Sequence, residues 1–129
     1  MFKKNEKTQA HEINQQEIST IIGEGFVFTG EIKGTSAIRI EGKVVGNIHA
    51  EGGVVLGEKA EVEGDIYTKS AIIFGTVKGH VKTTHLEIKQ SGRVAGDIAT
   101  DTLEIELGAQ YNGKLHMTKQ LPEPLAEAS

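Results

Sequence analysis

Ile40-Glu41-Gly42-Lys43-Val44-Val45-Gly46-Asn47-Ile48 is the stretch whose reading decides the fold. Large apolar side chains recur at even intervals through it, which is the strand pattern, and a glycine inside such a run marks a bend or a close backbone approach. Its closing triplet is one of six. Gly30-Glu31-Ile32, Gly46-Asn47-Ile48, Gly64-Asp65-Ile66, Gly79-His80-Val81, Gly96-Asp97-Ile98 and Gly113-Lys114-Leu115 follow one another at spacings of 16, 18, 15, 17 and 17 residues. Two residues before each glycine stands a large apolar residue: Phe28, Val44, Val62, Val77, Val94 and Tyr111. Four before it come Phe26, Gly42, Ala60, Gly75, Gly92 and Ala109, small in every copy but the first.

Upstream of this unit each copy carries a second apolar strand, as in Ile38-Arg39-Ile40, Val54-Val55-Leu56 and Leu86-Glu87-Ile88. Four residues separate Leu56 from Ala60 but two separate Ile40 from Gly42, so the spacing predicts long and short coils that differ at one corner. A repeat of this size, with two or three short strands, cannot bury its own apolar side chains and must stack on its neighbours. Winding the copies coaxially superposes the Val and Ile columns at the 4.7–4.9 Å spacing of paired strands. The expected fold is therefore all-β: one parallel β-helix of about six coils over residues 18–118, with flexible tails at 1–17 and 119–129. Helix competes poorly, because glycine interrupts nearly every dozen residues and the apolar period is two. An antiparallel sandwich of short strands remains the fold alternative.

Composition agrees with many turns and a core of small side chains. The 129 residues include sixteen glycines, no Trp, four Phe and two Tyr. No cysteine is present, so neither a disulfide framework nor thiolate chemistry is available, and a reducing, cytoplasmic setting is expected. The opening residues lack the apolar run of a secretory signal, and no stretch approaches the length of a spanning helix. A net charge of −4 with acids and bases interspersed argues against nucleic acid as a partner.

A solenoid has two terminal rungs with unpaired strand edges and an apolar cross-section, which monomeric proteins cover with a cap. The sequence offers none: the region before Ile18 has no helical apolar stripe, and Pro122 and Pro124 interrupt the region after Leu115. Phe26 and Phe28 at one end and Tyr111 and Leu115 at the other are thus the expected contact residues of end-to-end self-association. The competing arrangement folds these aromatics over their own ends and leaves a monomeric binding platform with one flat face.

The repeat resembles the bactofilins, bacterial cytoskeletal proteins, in the stretch from Ile40 to Ile48 and again in Val62-Glu63-Gly64-Asp65-Ile66; the resemblance covers about residues 18–118. It implies a right-handed, roughly triangular β-helix, filament assembly without nucleotide, and a scaffold role at the inner face of the cytoplasmic membrane in cell shape and cell-wall organisation. The implied partners are further copies of the chain, the anionic membrane surface, and cell-wall enzymes or other membrane proteins. Family members often carry an N-terminal membrane-targeting segment, and Met1-Phe2-Lys3-Lys4 with Lys7 resembles one. Each lysine gains on the order of 1 kcal/mol near an anionic leaflet. One tail binds marginally; many tails along a polymer bind by avidity.

Enzymatic alternatives find little support in the residues. A hexapeptide-repeat acyltransferase, a left-handed β-helix, fits Ile22-Gly23-Glu24-Gly25-Phe26 and Leu56-Gly57-Glu58-Lys59-Ala60 locally, but the six-residue period does not continue. His80 falls in an outward column with Glu31, Asn47, Asp65, Asp97 and Lys114, where stacking places Asp65 and Asp97 on either side of it. That column reads as a solvated ladder at a turn, with a weak metal or proton site as the sharper alternative. No catalytic constellation, cofactor site or metal set is expected.

Overall fold

The computed structural model describes residues 18–117; the two expected tails and Thr118 lie outside the described residues. Within them the chain repeats one circuit of strand, corner, strand, corner, strand. The first coil holds β1 (Ile18–Ile22), β2 (Val27–Thr29) and β3 (Ile32–Gly34), and the second holds β4 (Ala37–Ile40), β5 (Lys43–Val45) and β6 (Ile48–Ala50). The third comprises β7 (Gly53–Leu56), β8 (Glu61–Glu63) and β9 (Ile66–Thr68). The fourth begins with β10 (Ser70–Ile73) and β11 (Thr76–Lys78) and closes with the start of β12 (Val81–Ile88). The rest of β12, β13 (Arg93–Ala95) and the start of β14 (Ile98–Ile105) make the fifth; the rest of β14, β15 (Gln110–Asn112) and β16 (Leu115–Met117) make the sixth.

Every pairing between coils is parallel, and the register superposes the sequence columns. Phe28, Val44, Val62, Val77, Val94 and Tyr111 stack rung on rung, as do Ile32, Ile48, Ile66, Val81, Ile98 and Leu115. This is the expected parallel β-helix of six coils, and the antiparallel sandwich is excluded. The interior is a stack of β-branched side chains: Ile40, Val44, Ile48, Val54, Val62, Ile66, Ile73, Val77, Ile88 and Ile98 are all buried. Each contributes on the order of 1.5–3 kcal/mol by leaving water.

One expectation holds at the glycines and one, on the corners, needs correction. The residues after each glycine form a third strand on a face of their own, because the glycine turns the chain there, as the bend expected from the sequence. Gly30, Gly46, Gly64, Gly79, Gly96 and Gly113 have φ from +137° to +156°, and from Gly46 onward a Cβ would lie 1.9–2.1 Å from the preceding glycine's carbonyl oxygen. Only glycine meets both demands.

The unequal spacing arises at two corners, not one. Between the first and second strands the corner has four residues in coils one, three, five and six (Gly23–Phe26, Gly57–Ala60, Lys89–Gly92, Glu106–Ala109) and two in coils two and four (Glu41-Gly42, Phe74-Gly75). Between coils, Gly34 and Ala50 are followed by one residue more than Thr68, Thr83 and Thr100 before the next first strand resumes register. Threonine closes the tighter version. The Thr83 hydroxyl donates toward Lys69 O (2.9 Å) and His85 O (3.0 Å), and that of Thr100, fully buried, toward Thr102 O (2.8 Å) and Thr84 O (3.3 Å).

Candidate polymerisation surfaces

Among the described residues, the two ends of the solenoid differ from its middle in one respect: their columns and strand edges have neighbours on one side only. β1, β2 and β3 pair with β4, β5 and β6 alone, and the second half of β14, β15 and β16 have no further strand beyond them among the described residues. Such an edge presents main-chain N–H and C=O groups ready to pair with another chain. The core columns end in the open as well. Phe28 is 37% exposed over buried Val44, and Leu115 is 41% exposed over buried Ile98.

The four expected contact residues therefore fall at opposite ends, five coil steps apart. Phe28 continues the column of second-strand side chains, and Phe26, exposed, sits at the first corner with its ring near Gly23. At the far end Tyr111 stacks on Val94, and its hydroxyl donates to Lys114 O. Burial pushes the Tyr111 phenol above its usual range, with the Asp97 carboxylate adding to the shift. The structure adds residues that sequence alone left out: Ile32 at the first end, and Ile105 and Met117, both exposed, at the last. Their signal was the column register, which only the stacked coils fix. Met1, Phe2, Lys3, Lys4 and Lys7 lie outside the described residues.

The outward column at the glycine corner is a hydrogen-bond ladder. Asn47 Oδ1 accepts from the Asp65 N–H (3.0 Å), Asp65 Oδ1 from the His80 N–H (3.0 Å), His80 Nδ1 from the Asp97 N–H (3.1 Å), and Asp97 Oδ1 from the Lys114 N–H (3.1 Å). Asp65 and Asp97 flank His80 as the column requires, and the imidazole serves as one acceptor among four, joining rungs. Among the described residues no three His, Cys, Asp or Glu side chains are grouped to hold a metal ion. Charged side chains on the second-strand face pair across coils, Lys43 with Glu63 and Lys78 with Glu61, both at 3.3 Å. The Lys78 hydrogen bond is the main cause of the Glu61 carboxyl being held below its ordinary value. On the third-strand face the His49 and Tyr67 rings stack at 4.6 Å.

Comparison with known proteins follows the same residues. A family model described as "Bactofilin: Polymer-forming cytoskeletal" matches residues 20–116. The chain is 35% identical over 100 residues to bactofilin BacO of Myxococcus xanthus, covering 77% of this chain and 79% of that protein. It is 26% identical over 100 residues to bactofilin BacP of the same organism, covering 77% of this chain and 42% of that one. Among solved structures it is similar to the Thermus thermophilus bactofilin reconstructed as double helical filaments, with a TM-score of 0.70 and 26% identity over 75% of this chain and 99% of that one. With the repeat, the stacked register and these matches in agreement, the chain belongs to the bactofilin family of polymer-forming cytoskeletal proteins.

Proposed function

We propose that this chain is a structural subunit rather than an enzyme, and that it polymerises end to end through its terminal coils into filaments that need no nucleotide. One observation carries the reading: columns buried throughout the middle of the solenoid end exposed at Phe28 and Leu115, beside unpaired strand edges. Stacking one solenoid on another buries the column ends that meet, continuing the interior across the junction. The contact residues are Phe26, Phe28, Tyr111 and Leu115, with Ile105 and Met117 beside the last two. By analogy with the Thermus filament, the polymer has two strands.

The test is negative-stain microscopy of the purified chain without nucleotide. Filaments are expected for the wild type and for Tyr111→Phe; Tyr111→Arg, which places a charge in the stacking surface, leaves dispersed rods. Long filaments from Tyr111→Arg would remove the terminal coil from the contact, and uniform small rods from the wild type would favour the monomeric platform.

The filament lies at the inner face of the cytoplasmic membrane and serves as a scaffold for cell shape and cell-wall organisation, held by Phe2, Lys3, Lys4 and Lys7 through avidity. Cell-wall enzymes or other membrane proteins are the partners this role requires. Co-sedimentation with anionic vesicles tests the attachment: the Phe2→Ala, Lys3→Glu variant is expected to stay in the supernatant, and pelleting equal to wild type would refute it.

A further inference from the structure

Axial stacking leaves three apolar side chains uncovered. Ile21 and Val27 are in register with Arg39 and Lys43, whose side chains face outward, so they point away from the axis; they are 64% and 65% exposed. They flank the first corner of coil one. Leu107, at the tip of the same corner in coil six, is 94% exposed. All three lie along one edge of the solenoid, about 24 Å apart from first rung to last on strand spacing.

Between them that edge has a definite profile. Its corners run long, short, long, short, long, long from coil one to coil six, long being four residues and short two. Reversed, the order is long, long, short, long, short, long. Laid antiparallel against itself, every short corner meets a long one, and the two long pairs left over are coil one against coil six. Those are the corners that carry Ile21, Val27 and Leu107. Over the short corner of coil two the surface dips into a recess of about 400 Å³ lined by Glu24, Arg39, Glu41, Glu58, Lys59 and Phe74. The antiparallel copy brings the Gln90-Ser91 tip of its coil five to that recess, a polar tip to a polar hollow. The Glu24–Lys59 ion pair across the hollow (3.1 Å) is solvent-exposed and yields at little cost. A parallel, in-register copy would set long corner on long and Leu107 against Leu107, leaving the recess empty.

Resting on the polymerisation reading, we propose that this edge joins the two strands of the filament: a second copy of the chain docks along it antiparallel, coil one to coil six. The contact is isologous, each apolar end covering the other's.

The chain has no cysteine, so disulfide trapping reads the alignment directly. Glu41→Cys combined with Gln90→Cys puts the two thiols three coils apart within one chain, about 14 Å on strand spacing. Disulfides need Cα atoms within roughly 7 Å, so only the lateral partner can supply the bond. Oxidised filaments of the double variant are expected to run as cross-linked dimers on denaturing gels, with each single variant monomeric. Dimers from Gln90→Cys alone, or none from double-variant filaments, would overturn the alignment. Leu107→Lys is read by microscopy and is expected to leave filaments long but of single-strand width. Unchanged width, or loss of filaments altogether, would overturn the assignment of Leu107 to the side contact. Absence of wild-type filaments would instead refute polymerisation itself, and single-stranded wild-type filaments would refute only this edge.

Discussion

Replacing Gly79 with alanine tests the stacked-glycine corner most directly. At φ +153° an L-residue is strained, which costs on the order of 1–2 kcal/mol. The new Cβ would also sit 2.1 Å from Gly64 O, more than an ångström inside contact distance, so coils three and four must separate at that corner. Separation strains the bonds that bracket it, Gly64 N–H to Lys78 O (3.0 Å) and Ile66 N–H to His80 O (2.8 Å), each worth about 1 kcal/mol net. The sum is about 3–4 kcal/mol. Gly30→Ala is the matched control: its φ of +137° carries similar strain, but the added Cβ meets only the Phe28 ring, at 3.6 Å. It should cost only the strain. Thermal unfolding followed by circular dichroism, in the Tyr111→Arg background so that filament contacts do not contribute, should show the Gly79→Ala midpoint falling about 12–30 °C at roughly 4–8 °C per kcal/mol. Gly30→Ala should fall about 5–15 °C. Equal losses from the two variants would refute the argument that carbonyl-on-glycine contact between coils sets this corner.

Thr100→Val, isosteric and fully buried, should lower stability by about 1–2 kcal/mol in the same melt, because it leaves Thr102 O without its hydroxyl donor. Asp97→Asn keeps an oxygen that accepts from the Lys114 N–H and should melt close to wild type, whereas Asp97→Ala should speed exchange of that amide, read by hydrogen-exchange NMR. Lys89 lies 2.9 Å from Glu87 and 3.5 Å from Glu106, and the Glu87 hydrogen bond is the main cause of its pKa standing above 10.5. A raised lysine stabilises the fold below its unfolded pKa and loses that contribution as pH rises through the folded value. Wild type should therefore lose its advantage over Lys89→Met as pH rises above about 10.5, read in the same melt.

The six glycine triplets by themselves determined the coil count, the columns and the existence of two open ends, because a repeat too small to bury its own side chains has to stack. Period-two alternation tells inward from outward, so Phe28, Tyr111 and Leu115 were legible as column ends. The glycine inside each run signalled a bend or a close approach, and the positive φ with the stacked carbonyl contacts showed that Gly46 and its counterparts are both. The second variable corner, closed by Thr68, Thr83 and Thr100, was hidden: a one-residue difference in loop length becomes visible only when neighbouring coils fix the register. Ile21, Val27 and Leu107 came from tertiary structure alone. A side chain's direction at a corner depends on how six loops of unequal length stack into one edge, and no single coil's sequence contains that.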